Sequence, residues 1–186
     1  MKAAIVGLFL LAAGTTLHAA SPDPFPDDPA CTDTDRGFMK RANELAAEAV
    51  KQGNTPFGAI LVLDGKIVGE YSNVAATTHD PTKHAECALI SAFAPKIGRA
   101  ELKRSVLYAS SEPCIMCCGA ILNAGIPKVV YGVTESQFLM FTNHILTKNP
   151  LTSRETISRT DPAVQVLGPL MEREGLALHA AFGRRR

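Results

Sequence analysis

The chain has 186 residues, 46% of them hydrophobic, and a formal net charge of +1. That is enough for one domain with a substantial core, and nothing marks a second. A charge so close to balance speaks against a broad basic face for nucleic acid, and the one basic cluster, Arg184, Arg185 and Arg186, reads as a solvated terminus.

Residues 1–20, MKAAIVGLFLLAAGTTLHAA, open with Lys2, continue with an apolar run from Ala3 to Ala13 and end in the small residues Ala19 and Ala20. This is the pattern of a secretory signal peptide; an uncleaved amphipathic N-terminus is the alternative. The run is shorter than the roughly 18 to 20 residues of a bilayer span, so the expectation is a periplasmic or secreted protein with no membrane attachment after cleavage. Cleavage after Ala19 or Ala20 takes Lys2 from the 19 basic residues and leaves 18 against 18 acidic ones. Residues 21–32 then form a Pro- and Asp-rich flexible spacer, and residues 33–186 the domain.

In TDTDRGFMKRANELAAEAVKQG the residues Phe38, Ala42, Leu45 and Ala49 recur at helical spacing up to Gly53, which predicts a surface helix. PFGAILVLDGKIVGEYSN is two apolar runs around Asp64-Gly65, a strong hairpin signal. HDPTKHAECALISAFAPK predicts a helix with Asp80 as N-cap and Pro81 in its first turn. SVLYAS follows as a strand, EPCIMCCGAILNAG as a helix opened by Pro113 and closed by Gly125, IPKVVYGV as a strand, and AVQVL at 163–167 as a candidate fifth strand. The order implies an α/β fold with a mixed sheet between helices.

Five cysteines in an exported chain normally suggest disulfides. Here Cys114 and Cys117 have ligand spacing, Cys87 and Cys118 fall in apolar helical stretches and read as buried core thiols, and Cys31 is either free or paired. Cys114 and Cys117 lie on one face of a first turn, where free N–H groups and the helix dipole favour thiolate. His84, about thirty residues earlier, also opens a helix. Two helix mouths can therefore converge to offer Cys, Cys and a neutral His to a tetrahedral zinc. A three-ligand zinc leaves one position for water, whose pKa it lowers, and Glu86 then becomes the base. Each piece has a plainer reading: a redox Cys pair, a structural histidine, a Glu supporting a helix dipole, or a purely structural zinc, although neither His79 nor His144 has the spacing of a fourth ligand.

The His-Ala-Glu at 84–86 with Pro-Cys-x-x-Cys at 113–117 resembles the zinc-dependent cytidine and deoxycytidylate deaminase superfamily. Over residues 35–133, TPFGAI, GEYSN, DPTKHAE and SSEPCIMCCGAIL are most similar to the branch of guanine deaminases and tRNA adenosine deaminases. The resemblance implies a three-layer α/β/α sandwich around a mixed five-stranded sheet, assembled as a homodimer. It makes His84, Cys114 and Cys117 the Zn2+ ligands and Glu86 the proton shuttle. Asn73, eleven residues before His84, would bind the substrate edge, the Ala85 backbone would fix the ring, and Phe57 would line or stack on the base. Phe57 as a core aromatic and Asn73 as a turn residue are the alternatives.

Residues 134–186 do not visibly follow either branch, and ESQFLMFTNHIL, with Phe138, Phe141, His144 and Ile145, is expected to cap the substrate or else to pack on the sheet. The expected activity is hydrolytic deamination of a small amino heterocycle, guanine or a related aminopurine or triazine first. Cytosine or cytidine is the runner-up, and a tRNA adenosine deaminase or a nucleic-acid-binding member is less favoured because of the neutral charge. A catalytically inactive zinc-stapled module is disfavoured by the presence of Glu86.

Overall fold

The computed structural model describes residues 23–140 and 151–183. Helix α1 (Asp33–Lys51) is followed by β1 (Gly58–Leu63), β2 (Lys66–Ser72), a one-turn α2 (Ala75–Thr78), α3 (Ala85–Ile97), a short α4 (Arg99–Leu102) and β3 (Val106–Ser111). Then come α5 (Ile115–Ala124), β4 (Lys128–Val133), α6 (Glu135–Leu139), α7 (Ser153–Thr160), β5 (Gln165–Leu167) and α8 (Glu172–Gly183). The five strands lie in the order β2-β1-β3-β4-β5. β1 runs antiparallel to β2 and β3, while β3, β4 and β5 are parallel. No described helix is long and apolar enough to cross a membrane.

Strand periodicity divides the core into two layers. Ala59, Leu61, Leu107, Ala109, Val129 and Tyr131 face Leu89 of α3 and Cys118 and Ile121 of α5. Ile60, Val62, Tyr108 and Val130 face Met39, Ala42 and Leu45 of α1. The sheet therefore has helices on both sides, the three-layer arrangement expected. The hairpin turns through Asp64 (φ 49°) and Gly65 (φ 74°), both left-handed, as the Asp-Gly pair predicts. A Cβ on Gly58 would sit 2.3 Å from the Ala42 carbonyl oxygen, so β1 starts flush against α1 because it starts with glycine. Gly175 likewise lets α8 seat on β4, where an added Cβ would meet Val133 Cγ2 at 2.4 Å.

Two helix starts differ from expectation. α3 begins at Ala85, not at Pro81, with His84 as the N-cap residue. The Asp80 carboxylate instead accepts the Thr82 N–H and hydroxyl (2.9 and 2.6 Å), and the Lys83 N–H donates to the Asp80 carbonyl (3.1 Å). The Asp-Pro pair is used for a turn, and the helix opens one turn later. Similarly α5 begins at Ile115, with Cys114 as N-cap. Gly125 closes it in the left-handed conformation, as anticipated.

The segment ahead of α1 is tied to this frame. The Asp28 N–H donates to the Pro169 carbonyl (2.8 Å), and Asp28 and Asp27 carboxylates accept the N–H groups of Gly168 (3.0 Å) and Met171 (2.7 Å). Cys31 is free and half-buried, and burial pushes its thiol up to about 11.

Candidate metal centre and active site

The N-termini of α3 and α5 meet at one end of the sheet, because β3 delivers the chain through Glu112 and Pro113 to Cys114 while the α2–α3 turn delivers His84. His84 Nδ1 lies 3.6 Å from Cys114 Sγ and 3.7 Å from Cys117 Sγ, and the two sulfurs are 3.7 Å apart. Bond lengths of about 2.3 Å to sulfur and about 2.0–2.1 Å to nitrogen at tetrahedral angles require edges of about 3.8 Å between sulfurs and about 3.6 Å from nitrogen to sulfur. The triangle has the dimensions of a zinc site. His84, Cys114 and Cys117 are the one group of metal-ligating side chains this compact among the described residues.

The electrostatics agree with that chemistry. The contacts with Cys117 and with His84 hold the Cys114 thiol down at about 4. Cys117 is pushed up because its proton is shared with Cys114 and Cys87 and because it is buried. One thiolate is thus favoured outright, and a second in so buried a place needs a cation to offset it. Zinc bound there supplies a Lewis acid that makes water nucleophilic at neutral pH.

Cys87 is not the core thiol expected. It is half-buried on the second residue past Ala85, with its Sγ 3.6 Å from Cys117 Sγ. The helix start explains this: with His84 as N-cap, Cys87 falls in the first turn and faces the same mouth. Cys118 is a core thiol, fully buried, and donates to the Pro113 carbonyl (3.4 Å).

Glu86 is 7% exposed, and burial raises its carboxyl above the usual range. The Cys114 charge pushes it the same way, which places the carboxyl beside the ligand set. Ala85 is fully buried between them in sequence. Asn73 is buried too; its Oδ1 accepts the Ala75 N–H (3.0 Å), and its backbone N–H donates to the Phe57 carbonyl (2.8 Å). The turn role is therefore real, and it fixes the amide next to Phe57.

Phe57 stacks on the imidazole of His84, centroids 6.5 Å apart and planes 21° apart. Phe138 of α6 meets it edge-on at 5.0 Å, and His179 of α8 at 5.4 Å. Phe138 thus stands at the site; Phe141, His144 and Ile145 lie outside the described residues. Glu135, at the start of α6, is pushed up to about 7 by burial and by the charges of Glu112 and Cys114. Sequence reasoning passed over His179, Glu112 and Glu172. The acidic first turn of α8, Glu172 and Glu174 ahead of Leu176 and His179, was the available signal.

An α/β sheet with a His-Cys-Cys centre and a buried carboxylate at two helix mouths defines a zinc-dependent hydrolytic enzyme. Residues 32–133 match the model of the cytidine and deoxycytidylate deaminase zinc-binding region, and the chain belongs to that family of deaminases, hydrolases acting on C–N bonds. The chain is 46% identical over 99 residues to a guanine deaminase of Bacillus subtilis (strain 168), a match covering 53% of this chain and 63% of that protein. It thus spans a little under two thirds of that relative. It is 32% identical over 154 residues to a tRNA-specific adenosine deaminase of Buchnera aphidicola subsp. Baizongia pistaciae (strain Bp), covering 83% of this chain and 91% of the other. A guanine deaminase from Nitrosomonas europaea shares the fold with a TM-score of 0.71 at 18% identity, over 80% of this chain and 84% of that one. The 154-residue match is too long to stop at residue 133, so it takes in part of residues 134–186.

Proposed function

We propose that the chain is an exported deaminase of a free purine base, guanine first. The observation that carries this is the wall beside His84: Phe57, Phe138 and His179 offer aromatic, uncharged surface that suits a planar neutral base. Asn73, held against Phe57, both donates to and accepts from a lactam edge. Glu86 takes a proton from the attacking water and passes it to the ring nitrogen next to the amidine carbon. It then takes the remaining proton from the new hydroxyl on that carbon and delivers it to the amine, so that the carbonyl forms, the C–N bond breaks and ammonia leaves. Ala85 fixes the ring through its backbone, and the enzyme works as a homodimer.

A second reading, adenosine deamination in tRNA, is favoured by the match to the Buchnera tRNA deaminase along nearly its whole length. A formal net charge of +1 gives little electrostatic hold on an anticodon stem. Ammonia release from guanine, adenine, cytosine, cytidine and an RNA anticodon stem–loop separates the readings. Guanine is expected to give the highest kcat/KM; a higher value for the stem–loop or for cytosine or cytidine overturns the guanine reading. Export is tested by mass spectrometry of native protein, which should begin near Ala20 or Ser21 and not at Met1.

A further inference from the structure

We propose that His179 is a specificity residue that touches the substrate, its Nδ1 hydrogen-bonding the heterocycle that lies against Phe57 and Phe138. The proposal rests on the free-base reading above. His179 lies outside the stretch that matches the deaminase family model, on α8. Its ring is packed at 4.9 Å from Phe138 and 5.4 Å from Phe57, the ring that covers the ligand His84. Ser111, three residues before Cys114 at the end of β3, bonds its Nε2 at 3.0 Å and so fixes the imidazole plane.

That leaves Nδ1. The residue is 3% exposed, and among the described residues Nδ1 has no hydrogen-bond partner. A buried polar atom without a partner carries a free-energy cost, and such atoms are rare in folded proteins unless water or a ligand completes them. An apolar residue would fill the same space between two phenylalanines at no such cost. Burial alone holds the His179 pKa down to about 4, so the ring is neutral at pH 7 and acts by hydrogen bonding, not as an acid. The Ser111 hydroxyl can donate to Nε2 or accept from it, so Nδ1 is a donor in one tautomer and an acceptor in the other. A base presenting either a carbonyl or a ring N–H at this wall is bound, and one presenting a C–H is not.

Asparagine places its amide near the position of Nδ1, and glutamine near that of Nε2. His179→Asn, His179→Gln and His179→Phe therefore separate a role toward substrate from a role toward Ser111. With guanine, His179→Phe and His179→Gln are expected to raise KM roughly 10- to 100-fold with kcat changed less than about threefold, and His179→Asn to stay near wild type. Wild-type KM in His179→Gln with loss in His179→Asn, or no change in any variant, overturns the proposal. Independently of variant folding, the 15N resonance of His179 Nδ1 should move when guanine saturates the Glu86→Gln protein; a resonance that stays put overturns it too. If wild type prefers the RNA stem–loop to guanine, the free-base reading fails, and the same variant ratios on the RNA decide His179 separately.

Discussion

One carboxylate oxygen of Glu112 accepts both the backbone N–H and the hydroxyl of Ser153, at 2.8 and 2.9 Å, while the other accepts the Glu135 N–H at 3.0 Å. The residue two before Cys114 thereby holds the starts of α6 and α7. Glu172 does the same from α8, accepting the Thr134 N–H and hydroxyl at 3.0 and 2.7 Å. Glu112→Ala leaves the fully buried Ser153 with unpaired groups. It is expected to lower stability by about 2–4 kcal/mol in denaturant titration, and to raise KM more than it lowers kcat, because Phe138 moves with α6.

Glu86→Gln should keep one zinc per chain by atomic absorption and lose roughly 10²- to 10⁴-fold in kcat. Its effect on stability has a definite sign. The folded value lies above the ordinary 4.5, so the group favours folding below about pH 4.5 and that support disappears as pH rises through the folded value. At pH 7 the buried carboxylate is a burden. Metal-stripped Glu86→Gln is therefore expected to melt above metal-stripped wild type at pH 7, with the gap closing toward pH 4.

Cys117→Ala is expected to lose both zinc and stability, whereas Cys87→Ser keeps its zinc, since Cys87 stands beside the triangle and not in it. Zinc stoichiometry of the two purified variants checks this. Loss of metal from Cys87→Ser would make that thiol a fourth ligand.

His179 predicts an acid limb. Its folded value of about 4 lies below the ordinary 6.5, so its contribution to stability is present above pH 6.5 and lost as pH falls toward 4. The difference corresponds to about 3 kcal/mol. Stability measured from pH 7 to pH 4 should fall less steeply in His179→Gln than in wild type.

What could be read in the sequence follows from how local each signal is. The Asp64-Gly65 turn, the short strands β1 and β3 and the glycine that ends α5 depend on neighbours a few residues away, and all three stand as expected. The metal triangle was legible because Cys114 and Cys117 are three apart and His84 opens a helix. Asp80 misled because one carboxylate can cap a helix or close a turn, and here it is taken up by the Thr82 N–H and hydroxyl two residues on. Cys87 was misplaced by the same shift. His179 was invisible because its meaning lies in Ser111, 68 residues away, and in two rings from different segments.

The pairing of Asp27 and Asp28 with residues 168–171 joins positions 140 and 144 residues apart in sequence. A ribosome makes the first partner early and the second almost last. Until Gly168 and Met171 emerge, the Asp27 and Asp28 carboxylates lack these distant backbone partners, and the segment is held only by nearby groups such as Arg36. Once α8 seats, the same stretch becomes an anchored strap. A shortened chain that ends before Gly168 would leave the Asp27 and Asp28 carboxylates without these backbone partners for good.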